Sequence, residues 1–348
     1  MNVPKLRFLN FNNDYEIKEI SDITYNVSSG KISKQLEDGE YNVYGSMGII
    51  GKSNFYDYTG EKVLVARVGA NAGSVNKINE KCCISDNTLV LEPKNILNDY
   101  LYYSLSHYDP KKLIFGSGQP LVTGGQLKKI KLGVPSKEEQ VKVSNFLSLL
   151  DKKIELQSKK IEDLKLFKKG LTNNIFSNLN VIKEEKLGNI CNITTGKLDA
   201  NAMVKNGQYR FYTCAKDFYY IDKYAFDTEA LLISGNGAYV GYIHYYKGKF
   251  NAYQRTYVLD QFKYNIQYIK IYLDSFLSKR INSEKKEGNT PYIVLSTLSD
   301  MTIKLTDSKS EEIIINYINS INSKIKKEEL KLNKLNELKK GLMQNMFV

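Results

Sequence analysis

The chain has 348 residues, 42% of them hydrophobic, which suits two ordinary domains with cores of their own and argues against wholesale disorder. Its net charge of +12 favours a polyanionic partner, although enrichment in Lys and Asn also follows from an AT-rich genome. No apolar run reaches the roughly 18 residues a bilayer span needs. Residues 1–13 lack the apolar core of a signal peptide, and Cys82, Cys83, Cys191, Cys214, His107 and His244 show no metal-ligand spacing. The expectation is a cytoplasmic protein with reduced thiols, no metal site and no membrane partner.

Taken in chain order, residues 1–135 read as a compact β-rich domain. Short β-branched and aromatic runs such as YNVY (41–44), VLVA (63–66) and TLVL (88–91) are punctuated by Gly, Asn and Asp, and a short helix follows at 100–108. Residues 136–178 carry apolar side chains alternately three and four apart: Leu147, Leu150, Ile154, Ile161, Leu164 and Leu171, interrupted by Gln157 and Lys168. That spacing, held over about four heptads, is the seam of a paired helix about 60 Å long. Pro135 precedes it. Residues 179–306 repeat the first domain, with YRFY (209–212), LLISGNGAYVG (231–241) and TYVL (256–259) 168 positions after their counterparts and a short helix at 267–277. A second long helix at 307–348 repeats the seam as Ile318, Ile321, Ile325, Leu332, Leu335 and Leu342, with Glu328 and Lys339 at the polar steps. Ser308 to Ser310 are placed to cap it.

The segment FKKGLTNNIF (167–176) returns as LKKGLMQNMF (338–347), 171 positions on, so the chain is a tandem duplication. One amphipathic helix of this length cannot bury its stripe alone. The fold class is therefore α+β: two β-rich domains alternating with two long helices that pair as an antiparallel coiled coil. The framework positions of the two copies agree while their loops differ, GSMGIIGK (45–52) facing TCAKDFYY (213–220), which suits two domains recognising two different things.

No catalytic constellation survives inspection. ISGNGAYVG (233–241) looks like a nucleotide-binding glycine loop, yet residues 242–246 read as strand where such a loop must open a helix. NTPY (289–292) lacks the middle proline of an adenine methyltransferase motif and reads as a turn ahead of a strand at 292–295. What remains is binding chemistry, because both the long helices and the remainder of the chain are net basic. Phosphate contacts need Lys, Arg and turn amides, and base reading needs Arg, Asn, Gln and Lys on ordered loops. The candidates are Ser46, Lys52, Arg67, Asn71, Ser74, Ser117 and Gln119 in the first copy. In the second they are Lys216, Asn236, Tyr239, Arg255, Lys285 and Asn289.

The domain–helix–domain–helix order resembles the specificity subunit of type I restriction–modification systems. So does the passage GSGQP (116–120), IKLGVPSKEEQ (130–140), DKKI (151–154) that leads from domain into helix. The second copy departs, since SKSEEI (308–313) lacks the proline and the Gln, and Asn322 replaces Asp151. The resemblance implies two target-recognition domains held by the helix pair, reading the two halves of a split site in double-stranded DNA. It implies two modification subunits as partners, which bind S-adenosylmethionine and methylate one adenine in each half-site; this chain holds no cofactor and performs no chemical step. It leaves open a restriction subunit with translocase and nuclease activity, a methylation-only system, and a stand-alone DNA-binding coiled-coil scaffold.

Overall fold

The structure is a computed structural model that describes residues 2–32, 35–45, 48–114, 118–284 and 292–348. The chain divides into two compact units, one formed by Met1–Ser158 with Leu330–Val348, the other by Lys159–Glu329.

The first unit contains β1 (Glu16–Glu19), α1 (Ile20–Ile23), β2 (Thr24–Ser29), β3 (Tyr41–Gly45), β4 (Gly48–Ser53), β5 (Glu61–Ala66), β6 (Val75–Asn79), β7 (Cys82–Ile84) and β8 (Thr88–Pro93). Then come α2 (Asn98–Tyr108), α3 (Gly124–Lys128), β9 (Lys131–Val134) and the start of α4 (Lys137–Ser177). The strands form a four-stranded sheet in the order β2-β8-β5-β6, a three-stranded sheet β4-β3-β7 and the pair β1-β9. The unbroken apolar run of β5 follows from burial on both faces. Val63 and Val65 point into the main core with Leu89, Leu91, Leu101 and Leu105, while Leu64 points into a second core with Tyr58, Ile78 and Val90.

The second unit continues α4 and adds β10 (Lys183–Lys186), α5 (Leu187–Ile190), β11 (Asn192–Thr195), β12 (Tyr209–Tyr212), β13 (Tyr219–Ile221), β14 (Phe226–Ser234), β15 (Ile243–Ala252) and β16 (Thr256–Asp260). α6 (Ile266–Glu284), α7 (Leu295–Ser299), β17 (Thr302–Leu305) and α8 (Ser308–Met346) complete the chain, α8 ending in the first unit. Here one six-stranded sheet runs β11-β16-β14-β15-β12-β13. The two-faced burial recurs, with Leu231 and Ile233 in one core and Ala230 and Leu232 in the other.

Each unit holds a piece of both long helices, packed antiparallel. In the first, Val143 and Leu147 of α4 share a core with Met346 and Phe347, and Asp151 pairs with Lys339 at 2.5 Å. In the second, Lys160 pairs with Glu328 at 3.1 Å and Lys165 with Glu329 at 2.7 Å, while Phe176 shares a core with Ile314 and Ile318. Of the seam residues, Leu147, Leu150, Ile161, Ile318, Ile321 and Ile325 are buried. Ile154, Leu164, Leu171, Leu332, Leu335 and Leu342 are half-buried. Glu328, a polar seam position, is buried and held by Lys160, a pairing that resists a shift of register.

The globular part of each unit is thus completed by the end of a helix. The Phe347 ring lies 5.5 Å from that of Tyr100, and the Phe176 ring 5.9 Å from that of Tyr268, both rings being equivalents in the repeat. Tyr100 donates to the Gly133 carbonyl and Tyr268 to the Lys304 carbonyl, so the same tyrosine ties helix to strand in both copies.

Two local expectations change. The cap of α8 is Asp307, whose Oδ1 accepts from the Ser310 amide at 2.9 Å; Ser308 to Ser310 already form the first turn, and a cap must precede it. Residues 292–295 form no strand: Tyr292 makes a single bridge to Asn236 and Leu295 opens α7. The helices expected at 100–108 and 267–277 are present as α2 and the longer α6.

Candidate nucleic-acid interface

The two glycine turns have the same construction. In the first copy, Gly69 and Gly73 take φ of +79° and +83°, and their equivalents Gly237 and Gly241 take +79° and +81°. Only glycine enters that region without strain. The Ala66 amide donates to the Ser74 carbonyl and the Ala66 carbonyl accepts from the Gly73 amide, and Ser234 makes the same two bonds with Tyr242 and Gly241 to close the second turn. β15 follows the second turn after a single residue, so the turn does not open a helix, as a nucleotide-binding loop must.

Each turn is flanked by the same two segments. The Arg67 amide donates to the Asn87 carbonyl at 2.9 Å and the Arg67 carbonyl accepts from Val122 at 2.8 Å. In the second copy the Gly235 amide donates to the Arg255 carbonyl at 2.9 Å and the Gly235 carbonyl accepts from Ile293 at 2.8 Å. Val68 bridges Leu121, as Asn236 bridges Tyr292. Non-local pairing therefore assembles three loops into one cluster, twice.

Among the candidates, Arg67, Asn71 and Ser74 lie on the first turn. The exposed Gln119 joins them because Pro120 accepts from the Gly69 amide at 3.1 Å. Asn236 and the exposed Arg255 meet at a cavity of about 250 Å³ whose walls also include Thr195, Gln254, Tyr257 and Tyr292. The Lys216 ammonium stands 5.2 Å from the centre of the exposed Tyr239 ring. Lys52 does not join this group. It lies on the three-stranded sheet and donates to Asn42 Oδ1 at 2.9 Å. Ser46, Ser117, Lys285 and Asn289 lie outside the described residues.

The chain has five arginines. Arg7 is paired with Glu139, Arg280 with Glu284, and Arg210 donates to the Tyr212 hydroxyl with its guanidinium 4.2 Å from the Phe218 ring centre. Among the described residues, the guanidinium groups of Arg67 and Arg255 have no hydrogen-bond or ion-pair partner. Both stand at the turn clusters, on opposite sides of the equivalent hydrogen bond: Arg67 is the residue that donates it and Arg255 the residue that accepts it. Sequence reasoning missed Asn87, the equivalent of Arg255, and Gln254, which donates to Asp199 at 2.7 Å. Asn87 lies in the turn run SDNT (85–88), yet only strand pairing brings either residue to the cluster.

The profile of the type I restriction modification DNA specificity domain matches residues 12–166 and again 182–337. The chain belongs to this family. It is 33% identical over 162 residues to the type I restriction enzyme EcoDI specificity subunit of Escherichia coli, a match covering 47% of this chain and 36% of that one. It thus spans about a third of that relative's length. The crystal structure of a type I restriction-modification S subunit from M. genitalium superposes with a TM-score of 0.68 at 18% identity, covering 99% of both chains. A chain from a structure of type I system assembly and conformational transition superposes at 0.58 with 13% identity, covering 94% of this chain and 96% of that one. These likenesses establish the fold of two specificity domains alternating with long helices.

Proposed function

We propose that this chain is the DNA sequence-specificity subunit of a type I restriction–modification complex, working in the cytoplasm. Residues 1–135 and 179–306 would each read one half of a split site in double-stranded DNA, with 136–178 and 307–348 as the spacer helices. Two modification subunits would carry S-adenosylmethionine and methylate adenine N6, and a restriction subunit would join in a restricting system. The observation that carries this reading is the placement of one unpartnered arginine at each turn cluster, presented from opposite sides of an equivalent backbone bond. A free guanidinium on an ordered loop is the side chain best suited to grip guanine edges bidentately. Moving it across the frame changes which base it reaches, as two unlike half-sites require. The chain's own part is to bind and orient, and the chemical step lies with its partners.

The test is duplex binding by the chain assembled with its modification subunits. The logarithm of affinity should fall linearly and steeply with the logarithm of salt concentration. Arg67→Ala and Arg255→Ala should each weaken cognate binding by about 1–3 kcal/mol while nearly sparing random duplex. Binding that ignores salt, or variants that change neither, would sink the proposal.

A further inference from the structure

In the first unit, Tyr103, Asp151 and Lys339 form a closed polar contact between α2 and the two long helices. The Tyr103 hydroxyl donates to Asp151 Oδ2 at 2.8 Å, and Lys339 bridges Asp151 and stands 5.9 Å from the Tyr103 ring centre. The repeat places Ile271, Asn322 and Lys168 at the corresponding positions of the second unit. The ring is truncated and the carboxylate gone, but the lysine stays. A recess of about 600 Å³ opens there between α4, α6 and α8, lined by all three residues. Its wall adds Lys165, Lys169, Lys279 and the Asp274 carboxylate, with Asn173, Ser278 and Asn322 as neutral donors, the Thr172 and Ser275 hydroxyls being spent on the Lys168 and Ile271 carbonyls. Lys165 is engaged with Glu329, and Asp274, which lines the recess and acts on Lys168, is bonded to Lys270 at 2.7 Å. Among the described residues Lys168 itself has no ion-pair partner, and its half-buried ammonium has its pKa lowered by desolvation. A retained, half-buried cation beside the space left by its lost counter-ion is a site lacking an anion.

We propose that this recess binds a phosphate group, which takes the place of the Asp151 carboxylate of the other copy. Clustered ammonium groups act as point charges for phosphate, and Ser278 and the asparagines supply the remaining donors. The volume is that of a small-molecule site, so a free phosphorylated compound fits as well as a phosphate of a nucleic-acid backbone.

The full-length protein titrated calorimetrically with inorganic pyrophosphate should bind one equivalent. Lys168→Met should weaken that binding at least tenfold. The double variant Ile271→Tyr/Asn322→Asp, which rebuilds the closed contact of the first copy, should abolish it while melting no lower than wild type by circular dichroism. Should the double variant not fold, Lys168→Met decides the matter alone. A random-sequence duplex separates the sources. If Lys168→Met lowers duplex affinity and flattens the salt slope by about one phosphate, the backbone supplies the group. If duplex binding is unchanged while pyrophosphate binding falls, a free phosphate does. No pyrophosphate binding, two equivalents per chain, or equal binding by wild type and Lys168→Met would overturn the proposal.

Discussion

The second copy makes one sheet of what the first copy splits into two. β15 runs without a break from Ile243 to Ala252, whereas its equivalent is divided into β6 and β7 at Glu80 and Lys81. Gly248 stands where the first copy has Glu80, and with φ of +128° it lets the strand pass through a kink unbroken. Glu80 instead accepts hydrogen bonds from Asn42 and Tyr44, and Lys52 leans on the same Asn42. In the second copy Arg210 replaces Asn42 and sits against Phe218 and Tyr246, at 4.2 and 4.5 Å from their ring centres. The parallel pairing is nevertheless kept, with β3 on β7 and β12 on β15 in equivalent register. Duplication preserved the pairing frame and the turn cluster, while one face exchanged an acid-centred network for an arginine stacked between aromatic rings. Two domains with one scaffold and unlike surfaces are what such divergence leaves.

The largest effect should come from the frame itself. A Cβ on Gly196 would lie 1.9 Å from the Ala252 carbonyl oxygen, and one on the equivalent Gly30 would lie 2.3 Å from that of Ile84. Gly196→Ala should therefore cost roughly 3 kcal/mol or more, since backbone on both sides must move. Hydrogen exchange should show amides of β11, β15 and β16 losing protection while those of β2 and β8 keep theirs. Equal loss in both units would break the comparison of two separately cored copies.

A smaller effect should sharpen it. Gln140 of the first copy bonds the Pro135 carbonyl and the Leu97 amide, and the repeat puts Glu311 in its place. Burial pushes the Glu311 carboxyl above its ordinary pKa, and Asp307 adds to the shift. A carboxyl raised on folding favours the folded state while protonated, and that contribution is lost as pH rises through the folded value. Glu311→Gln should thus stabilise the protein at neutral pH, where the ionised form carries the penalty. The gain should shrink as pH falls through the folded value and vanish below the ordinary carboxyl value. Thermal melts of both proteins across pH would show it; a gain independent of pH would contradict the assignment.

The helices were the most legible part of the chain, because a three-four spacing repeated with its polar steps at Gln157 and Glu328 can mean little else. Their caps were less so: Asp307 sits one residue before the serines that drew attention, and helix starts are read poorly from composition alone. The turns at Gly69 and Gly237 were visible as glycines. Their partners were not, since Asn87, Gln254 and Thr195 reach them only through strand pairings distant in sequence. Nor did Lys52 announce that Asn42 would hold it on another sheet. A basic residue in a loop signals availability, and only the fold says whether something within the chain has already taken it.

The central claim is that each copy reads its own half of a divided sequence. Mapping N6-methyladenine across the genome of cells carrying the wild-type chain or Arg255→Ala tests it most directly. The account predicts methylation of a two-part motif, with Arg255→Ala relaxing or abolishing selection at base positions of one part while the other part stays the same among the sites still modified. Loss of selection spread over both parts, or the absence of any two-part motif that depends on this chain, would contradict it.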